Sequence, residues 1–395
     1  MKARYQPAKQ QLDTMVLRDA GKFASLEEEW AELYEEHCSS ATPFQSWAWL
    51  YSWWEHYGEG YELRLIAIRD DGGLLVGMVP LMLEHRAGLG RLQFIGSGAT
   101  DYLDVLAREG WEETVMEAAV AALGRMDNWQ VADLQELRPG AVAWELQKSW
   151  SGPKRCLWQN NCVITDLKPW DELVGSLSKN NRKIARRSLR RMESDGVHHG
   201  LVGDGNTEAA ARRLVALHRE SWEGRGIGVE HTSKRFEAFL EAVVRRMAAY
   251  GLGTISEFRQ DGEVMVSEFL LFGSDFVGAY MMGANEEALR RYQVSTLCIW
   301  DALNIAHGKN LSHLNHLRGE EPYKLRWASR TESNHRLILG RNRPALAAYT
   351  GYKVLRSKAE TYATAEGAPR WVREAVIRYR ALRLKATRLL GRASK

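Results

Sequence analysis

The segment Leu317-Arg318-Gly319-Glu320-Glu321-Pro322-Tyr323-Lys324-Leu325-Arg326-Trp327 sets a guanidinium, two carboxylates, a phenol and an ammonium within seven residues. Arg318 ends an expected strand just before a glycine, a position that faces a ligand cleft in α/β sheets; a structural pair with Glu320 or Glu321 is the competing role. Glu320 and Glu321 suit recognition of an amine or service as a general base. Either also suits a helix start, where a carboxylate meets the N-terminal dipole. Tyr323 reads as core packing or as a hydroxyl donor. Lys324 reads as a compact point charge or as an exposed residue at a helix start.

Two further groups hold chemistry. Asp101, Tyr102 and Asp104 follow Gly96-Ser97-Gly98. The glycines allow a tight loop, and the acidic pair suits a substrate amine or sugar hydroxyls, with a solvated turn as the alternative. The GxxxxGK[ST] pattern is absent, so this is no phosphate loop. From Lys179 to Arg191 the chain has seven basic residues and no acidic one. On a helix Arg182, Arg186 and Arg190 fall at i, i+4 and i+8, with Lys183, Arg187 and Arg191 beside them. That face suits the phosphates of a nucleotide-linked sugar, a lipid pyrophosphate or tRNA; a solvated face is the alternative.

Other chemistries lack their residues. There is no G-x-S-x-G elbow and no Cys/His nucleophile arrangement. Cys38, Cys156, Cys162 and Cys298 form no CxxC pair and no zinc spacing with histidines, so reduced, mostly buried thiols are expected. His313 and His316 point to opposite faces of an expected strand, as do His198 and His199, and no metal is expected.

At 395 residues, 45% hydrophobic and 26% charged, the chain has room for two globular domains. No apolar core follows the basic residues of Met1 to Gln11, and no run nears the ~18 apolar residues that span a bilayer. A cytoplasmic protein is expected. From Ala368 to Lys395 nine Lys or Arg face one Glu, a local +8 that leaves −4 on the rest of a chain of formal net +4. This tail reads as a basic helix, Pro369–Leu390, with an apolar stripe. It suits packing on the second domain or contact with an anionic membrane face.

The elements that must position these residues recur in order. The first half reads as strand 15–17, helices 26–37 and 45–57, a hairpin 61–69/74–84, strand 92–95, helix 112–125, and strands 131–136 and 162–166. The second reads as helix 180–193, strand 198–202, helices 207–222 and 233–250, a hairpin 254–259/264–272, strand 276–282, helix 295–307 and strand 311–317. An α+β fold of two similar domains follows, 1–167 and 168–343, each a mostly antiparallel mixed sheet flanked by helices, with a basic helical tail over 344–395. Fifteen tryptophans, among them Trp47, Trp49, Trp53 and Trp54, suit half-buried helix faces or a cleft.

Five segments resemble the CelD/BioF2-like acetyltransferases of the GNAT superfamily, relatives of the FemABX transferases. They are Thr42–Trp49, Gly96–Asp104, Leu177–Lys183, His218–Trp222 with Arg225-Gly226, and Leu317–Trp327. The resemblance implies tandem GNAT-like domains that move an acyl or aminoacyl group directly onto an amine of a cell-envelope, polysaccharide or amino-sugar precursor. It also implies a charge-stabilising role for Lys324, with Tyr323 and Glu321 as its catalytic neighbours. Arg318, Glu320, Asp101, Tyr102, Asp104, Arg182 and Arg186 become substrate-binding candidates. GNAT enzymes that use acyl-CoA carry a Gly-containing turn before the helix that receives the pyrophosphate. Leu289–Thr296 keeps Arg290 and Arg291 but no glycine, and Ser295 is expected to cap that helix, with Thr296 beside it. Acyl-CoA and aminoacyl-tRNA both stand as donors, and a small-molecule or lipid-linked amine as acceptor. A catalytically silent scaffold for an anionic polymer or membrane is the competing class.

Overall fold

The computed structural model describes residues 12–36, 40–86, 88–221 and 233–364, without the side chains of 204 and 356–364. Met1–Gln11, Cys38, Trp222, Arg225-Gly226 and the expected helix Pro369–Leu390 lie outside them.

Among the described residues thirteen strands make one continuous sheet. The first half supplies β1 (Asp13–Leu17), β2 (Glu62–Arg69), β3 (Leu75–Arg86), β4 (Leu89–Phe94), the short β5 (Leu106–Ala107), β6 (Val131–Leu137) and β7 (Lys154–Asp166). The second supplies β8 (His198–Leu201), β9 (Gly253–Gln260), β10 (Glu263–Phe272), β11 (Phe276–Ala284), β12 (His313–Arg318) and β13 (Arg330–Gly340). The order is β1-β2-β3-β4-β6-β13-β7-β12-β11-β10-β9-β8, with β5 on β3. Each half is thus an antiparallel meander of four strands followed by one parallel neighbour, β6 beside β4 and β12 beside β11.

The seam between the halves is crossed. β13, from the end of the second half, lies between β6 and β7, and β7, from the end of the first, pairs with β12. The sequence reading found no strand at β13. Its first seven residues, Arg-Thr-Glu-Ser-Asn-His-Arg, are polar, and only strands on both sides make them a sheet element. β7 likewise starts eight residues before the expected 162, through a stretch that is largely exposed.

The helices are α1 (Ala20–Ser25), α2 (Glu27–Glu35), α3 (Trp47–Tyr57), α4 (Glu112–Arg125), α5 (Glu145–Ser149), α6 (Trp170–Ser176), α7 (Lys179–Ser194), α8 (Thr207–Ser221), α9 (Lys234–Ala249), α10 (Glu286–Arg291), α11 (Val294–Gly308), α12 (Pro322–Leu325) and α13 (Arg343–Thr364). Among the described residues none is long and apolar enough to cross a membrane. The expected helical tail begins with α13. It docks through Leu346 and Tyr349 on Val131 and Ile338, and its Lys353 lies 3.3 Å from the buried Asp133 carboxylate.

One core spans both halves. It joins α1–α3 and the meander of the first half to α8, α9 and β9–β11 of the second. The tryptophans of α3 are its centre. Trp49 donates to Thr100 Oγ1 at 2.9 Å and meets Phe239 and Tyr280 edge-on. Tyr280 in turn donates to the carbonyl of Ala99 at 2.8 Å. On the opposite sheet face of the second half, α6, α7 and α11 pack over β10, β11 and β12. α11 is buried almost all round, which is why its sequence is apolar on every face.

Candidate active site

The parallel strands β11 and β12 pair only from Phe276 to Gly278 with His313 to Asn315, then part. Beyond Gly278, among the described residues, the main-chain edge of β11 has no strand beside it on that side. The gap is a cavity of about 60 Å3 whose walls include Ala279–Met282 of β11, Leu314 and His316 of β12, Tyr323 and Lys324 of α12, and Ser295, Cys298 and Ile299 of α11. Its deepest acid is Glu268 of β10.

The turn from β12 into α12 aims the lysine. Gly319 at φ 110 allows a backbone that L side chains rarely adopt, and Pro322 opens the short helix. Lys324 ends up 8% exposed, its Nζ donating to the Arg318 carbonyl at 2.7 Å and lying 3.0 Å from Glu321 Oε2. An ammonium has three donors, so one N–H is left for the cavity. Tyr323 is half-buried beside it, and burial pushes its phenol well above the usual range.

Glu268 is 3% exposed, and its Oε2 has no hydrogen-bond partner. Burial, then the nearby Asp301 carboxylate, push it up to about 8, opposed by the Cys298 thiol that hydrogen-bonds it. His316 behaves oppositely: burial, then the Lys324 charge, pull it down to about 3, so its ring is neutral. The Thr165 hydroxyl lies 2.8 Å from His316 Nε2 and gives its single proton to the Trp327 carbonyl at 2.8 Å. The hydroxyl therefore accepts from Nε2–H, which leaves Nδ1 as an acceptor. A neutral imidazole, a carboxyl that exchanges its proton near neutrality and a hydrogen-bonded ammonium line one cavity, an arrangement suited to moving a proton and holding a developing negative charge.

Of the residues singled out in the sequence, Tyr323, Lys324 and Ser295 line this cavity. Glu321 reaches it only through Lys324 and is exposed, as is Glu320. Arg318 turns to the seam, 3.3 Å from Asp101 and 3.1 Å from Glu136, and Tyr102 accepts from Asn315 Nδ2 at 2.9 Å. These three tie the halves together next to the cavity without entering it.

The remainder are used elsewhere. Asp104 accepts from the amides of Val105, Val142 and Ala143 and from Ser40, so its carboxylate is taken up by the main chain and not offered to an amine. Arg182 donates to the carbonyls of Gly175 and Leu177 at the end of α6. Arg186 is exposed on α7, and Arg290 is exposed on α10. Arg291 lies 2.7 Å from Asp195 and 2.9 Å from Glu287. Thr296 is buried in α11. Ser295 is not the cap of α11; Gln293 holds that place, and its side-chain amide donates to Ser295 Oγ at 3.3 Å.

Sequence reasoning missed Glu268 and His316. A signal for the first was present: an acid in the middle of Val264–Phe272, a run otherwise apolar enough to be covered on both faces. His316 was weighed only as a metal ligand.

A family model described as an acetyltransferase (GNAT) domain matches residues 179–325. Among solved structures, FemX is similar over 82% of this chain and 96% of its own, at 12% identity and a TM-score of 0.56. The C-terminal domain of a putative lysylphosphatidylglycerol synthetase from Agrobacterium fabrum is similar over 84% and 97%, at 13% identity and a TM-score of 0.52. L-PGS from Bacillus licheniformis is similar over 82% and 93%, at 11% identity and a TM-score of 0.50. At these identities the likeness is one of fold. No curated protein matches the chain.

Proposed function

We propose that this chain, whose residues 179–325 match an acetyltransferase (GNAT) domain, moves a short acyl or aminoacyl group from an activated donor directly onto an amine in the cavity between β11 and β12. The observation that carries this reading is the meeting of buried Lys324 with the unpartnered Glu268 oxygen in one enclosed space. An acyl thioester or ester is already activated, so the chain has only to place a neutral amine against its carbonyl carbon. As the C–N bond forms, the carbonyl π electrons move to oxygen. The third N–H of Lys324 and the unpaired main-chain edge of β11 meet that oxyanion. Glu268 takes the proton the amine nitrogen gives up, and the donor's sulfur or oxygen leaves with the electrons of the broken acyl bond. Glu268 replaces Glu321 as base because Glu321 is exposed and already paired with Lys324.

The α11 end of the cavity, at Ser295, is where the donor's phosphates would lie, and the exposed cations of α7 stand near it, since Ser188 of α7 accepts from the Gln293 amide at 2.9 Å. Acyl-CoA and aminoacyl-tRNA both fit that charge. The acceptor is read as an amine of a cell-envelope, polysaccharide or amino-sugar precursor, free or lipid-linked. The lysylphosphatidylglycerol in the synthetase's name supports an aminoacyl group and a lipid-linked acceptor, although phosphatidylglycerol itself offers a hydroxyl and not an amine.

The test is transfer from a panel of acyl-CoAs and charged tRNAs to amine acceptors, with wild type and Lys324→Ala. Turnover with one donor, reduced about 10²–10³-fold in the folded variant, is expected. No turnover with any donor, together with binding of anionic polymer or vesicles, would make the chain a scaffold.

A further inference from the structure

Glu268 is one of a row of polar side chains on its face of the sheet. Its cross-strand partner on β9 is Ser256, so the two leave the sheet side by side with Cβ atoms ~5 Å apart. Ser256 Oγ donates to Asp301 Oδ2 at 2.6 Å, and Asp301 Oδ1 lies 2.6 Å from His199 Nδ1. Asp301 is 2% exposed and stands one turn of α11 beyond Cys298, the residue whose thiol hydrogen-bonds Glu268. His199 ends the row on the edge strand β8, stacked on Phe258 with Trp300 edge-on. Its side chain is 30% exposed, so the ring reaches solvent at the sheet edge. The row thus runs from the buried cavity to the sheet edge.

We propose that Asp301 is a positioning residue that sustains Glu268 as the proton acceptor, and that His199 throttles it by gaining a proton from solvent at the sheet edge. The inference rests on the reading of Glu268 as the base. A second buried anion opposes ionisation of Glu268 and so raises its hold on a proton. With His199 neutral, the Asp301–His199 pair carries one negative charge; with the imidazolium it carries none, and the push on Glu268 weakens. The hydrogen bond to Asp301 raises His199 above an ordinary imidazole, which favours the imidazolium beside Asp301. The other titratable groups facing Glu268 do not supply that change. Burial keeps Tyr323 and Cys298 protonated, and burial and Lys324 keep His316 neutral.

The experiment is a carboxyl-carbon NMR titration of the full chain labelled at glutamate. The Glu268 signal is identified by its loss in Glu268→Gln. Asp301→Asn is expected to lower the Glu268 midpoint by about one pH unit, because the anion is gone. His199→Gln keeps a donor to Asp301 but never gains charge, so the midpoint rises; in the Asp301→Asn background it has no effect. Ser256→Ala, which loosens the row without changing charge, leaves the midpoint near that of wild type. Shifts of the same sign in Asp301→Asn and His199→Gln, or no shift in either, would overturn the proposal. Full transfer by Glu268→Gln would instead overturn the base reading beneath it, whatever the titration shows.

Discussion

At the scale of the residue, the site is costly to the fold, and the cost is measurable. Glu268 holds its proton up to about 8 in the folded chain, against 4.5 for an ordinary glutamate. Between those values the folded state binds a proton that the unfolded state has released. Stability therefore falls as pH rises from 4.5 to 8, and above 8 the whole penalty stands. Glu268→Gln removes the titration. Thermal unfolding across this range is expected to show a flatter pH dependence for the variant, with a gain of about 1–3 kcal/mol over wild type above pH 8. A variant less stable than wild type at pH 9 would mean that the carboxylate has partners the geometry does not provide.

At the scale of the element, the cleft is opened by backbone that resists its neighbours. Leu317 of β12 and Glu136 of β6, each on the parallel strand of its half, have φ of 58° and 56°. Such non-glycine positions cost about 1–3 kcal/mol each and mark where each strand breaks register. In β12 the break separates His316, which faces the cavity, from Arg318, which faces the seam. β11 forms the opposite wall and is held by α8, whose backbone lies so close that a Cβ at Gly283 would come within 2.3 Å of the His218 nitrogen. Gly283→Ala is accordingly expected to push α8 off β11 and to cost about 1–3 kcal/mol in denaturant unfolding. Hydrogen exchange should rise in Thr207–Ser221 and Phe276–Ala284 before it rises elsewhere. Protection lost only at distant strands would show that this contact does not hold the wall.

At the scale of the molecule, the halves are not separable pieces. Residues 1–167 lack β13, which belongs between β6 and β7, and residues 168–395 lack β7, which belongs between β13 and β12. The core around Trp49 is also divided between them, with Phe239 and Tyr280 on the other side. Each fragment alone exposes unpaired strand edges and half of a shared core. Expressed separately, they are expected to remain unfolded or to aggregate; mixed from denaturant, they are expected to recover native circular dichroism as a 1:1 complex. Cooperative unfolding of either fragment alone would refute a shared core.

What could be read without coordinates was local. Hairpins at Gly72-Gly73 and Asp261-Gly262, helix α4 and the apolar α11 declare themselves within ten or fifteen residues, because their periodicity and turn chemistry are satisfied there. The Leu317–Trp327 segment announced its chemistry in the same way, and Lys324 and Tyr323 could be named. The tertiary structure decided what depends on register between distant strands: that β13 crosses the seam, that Arg318 spends its charge on Asp101 and Glu136, and that Asp104 serves the main chain. It also decided which acid lines the cavity that Lys324 borders. Glu268 and Glu321 are the same residue type, and only the tertiary packing buries one with an oxygen lacking a partner and leaves the other exposed beside Lys324.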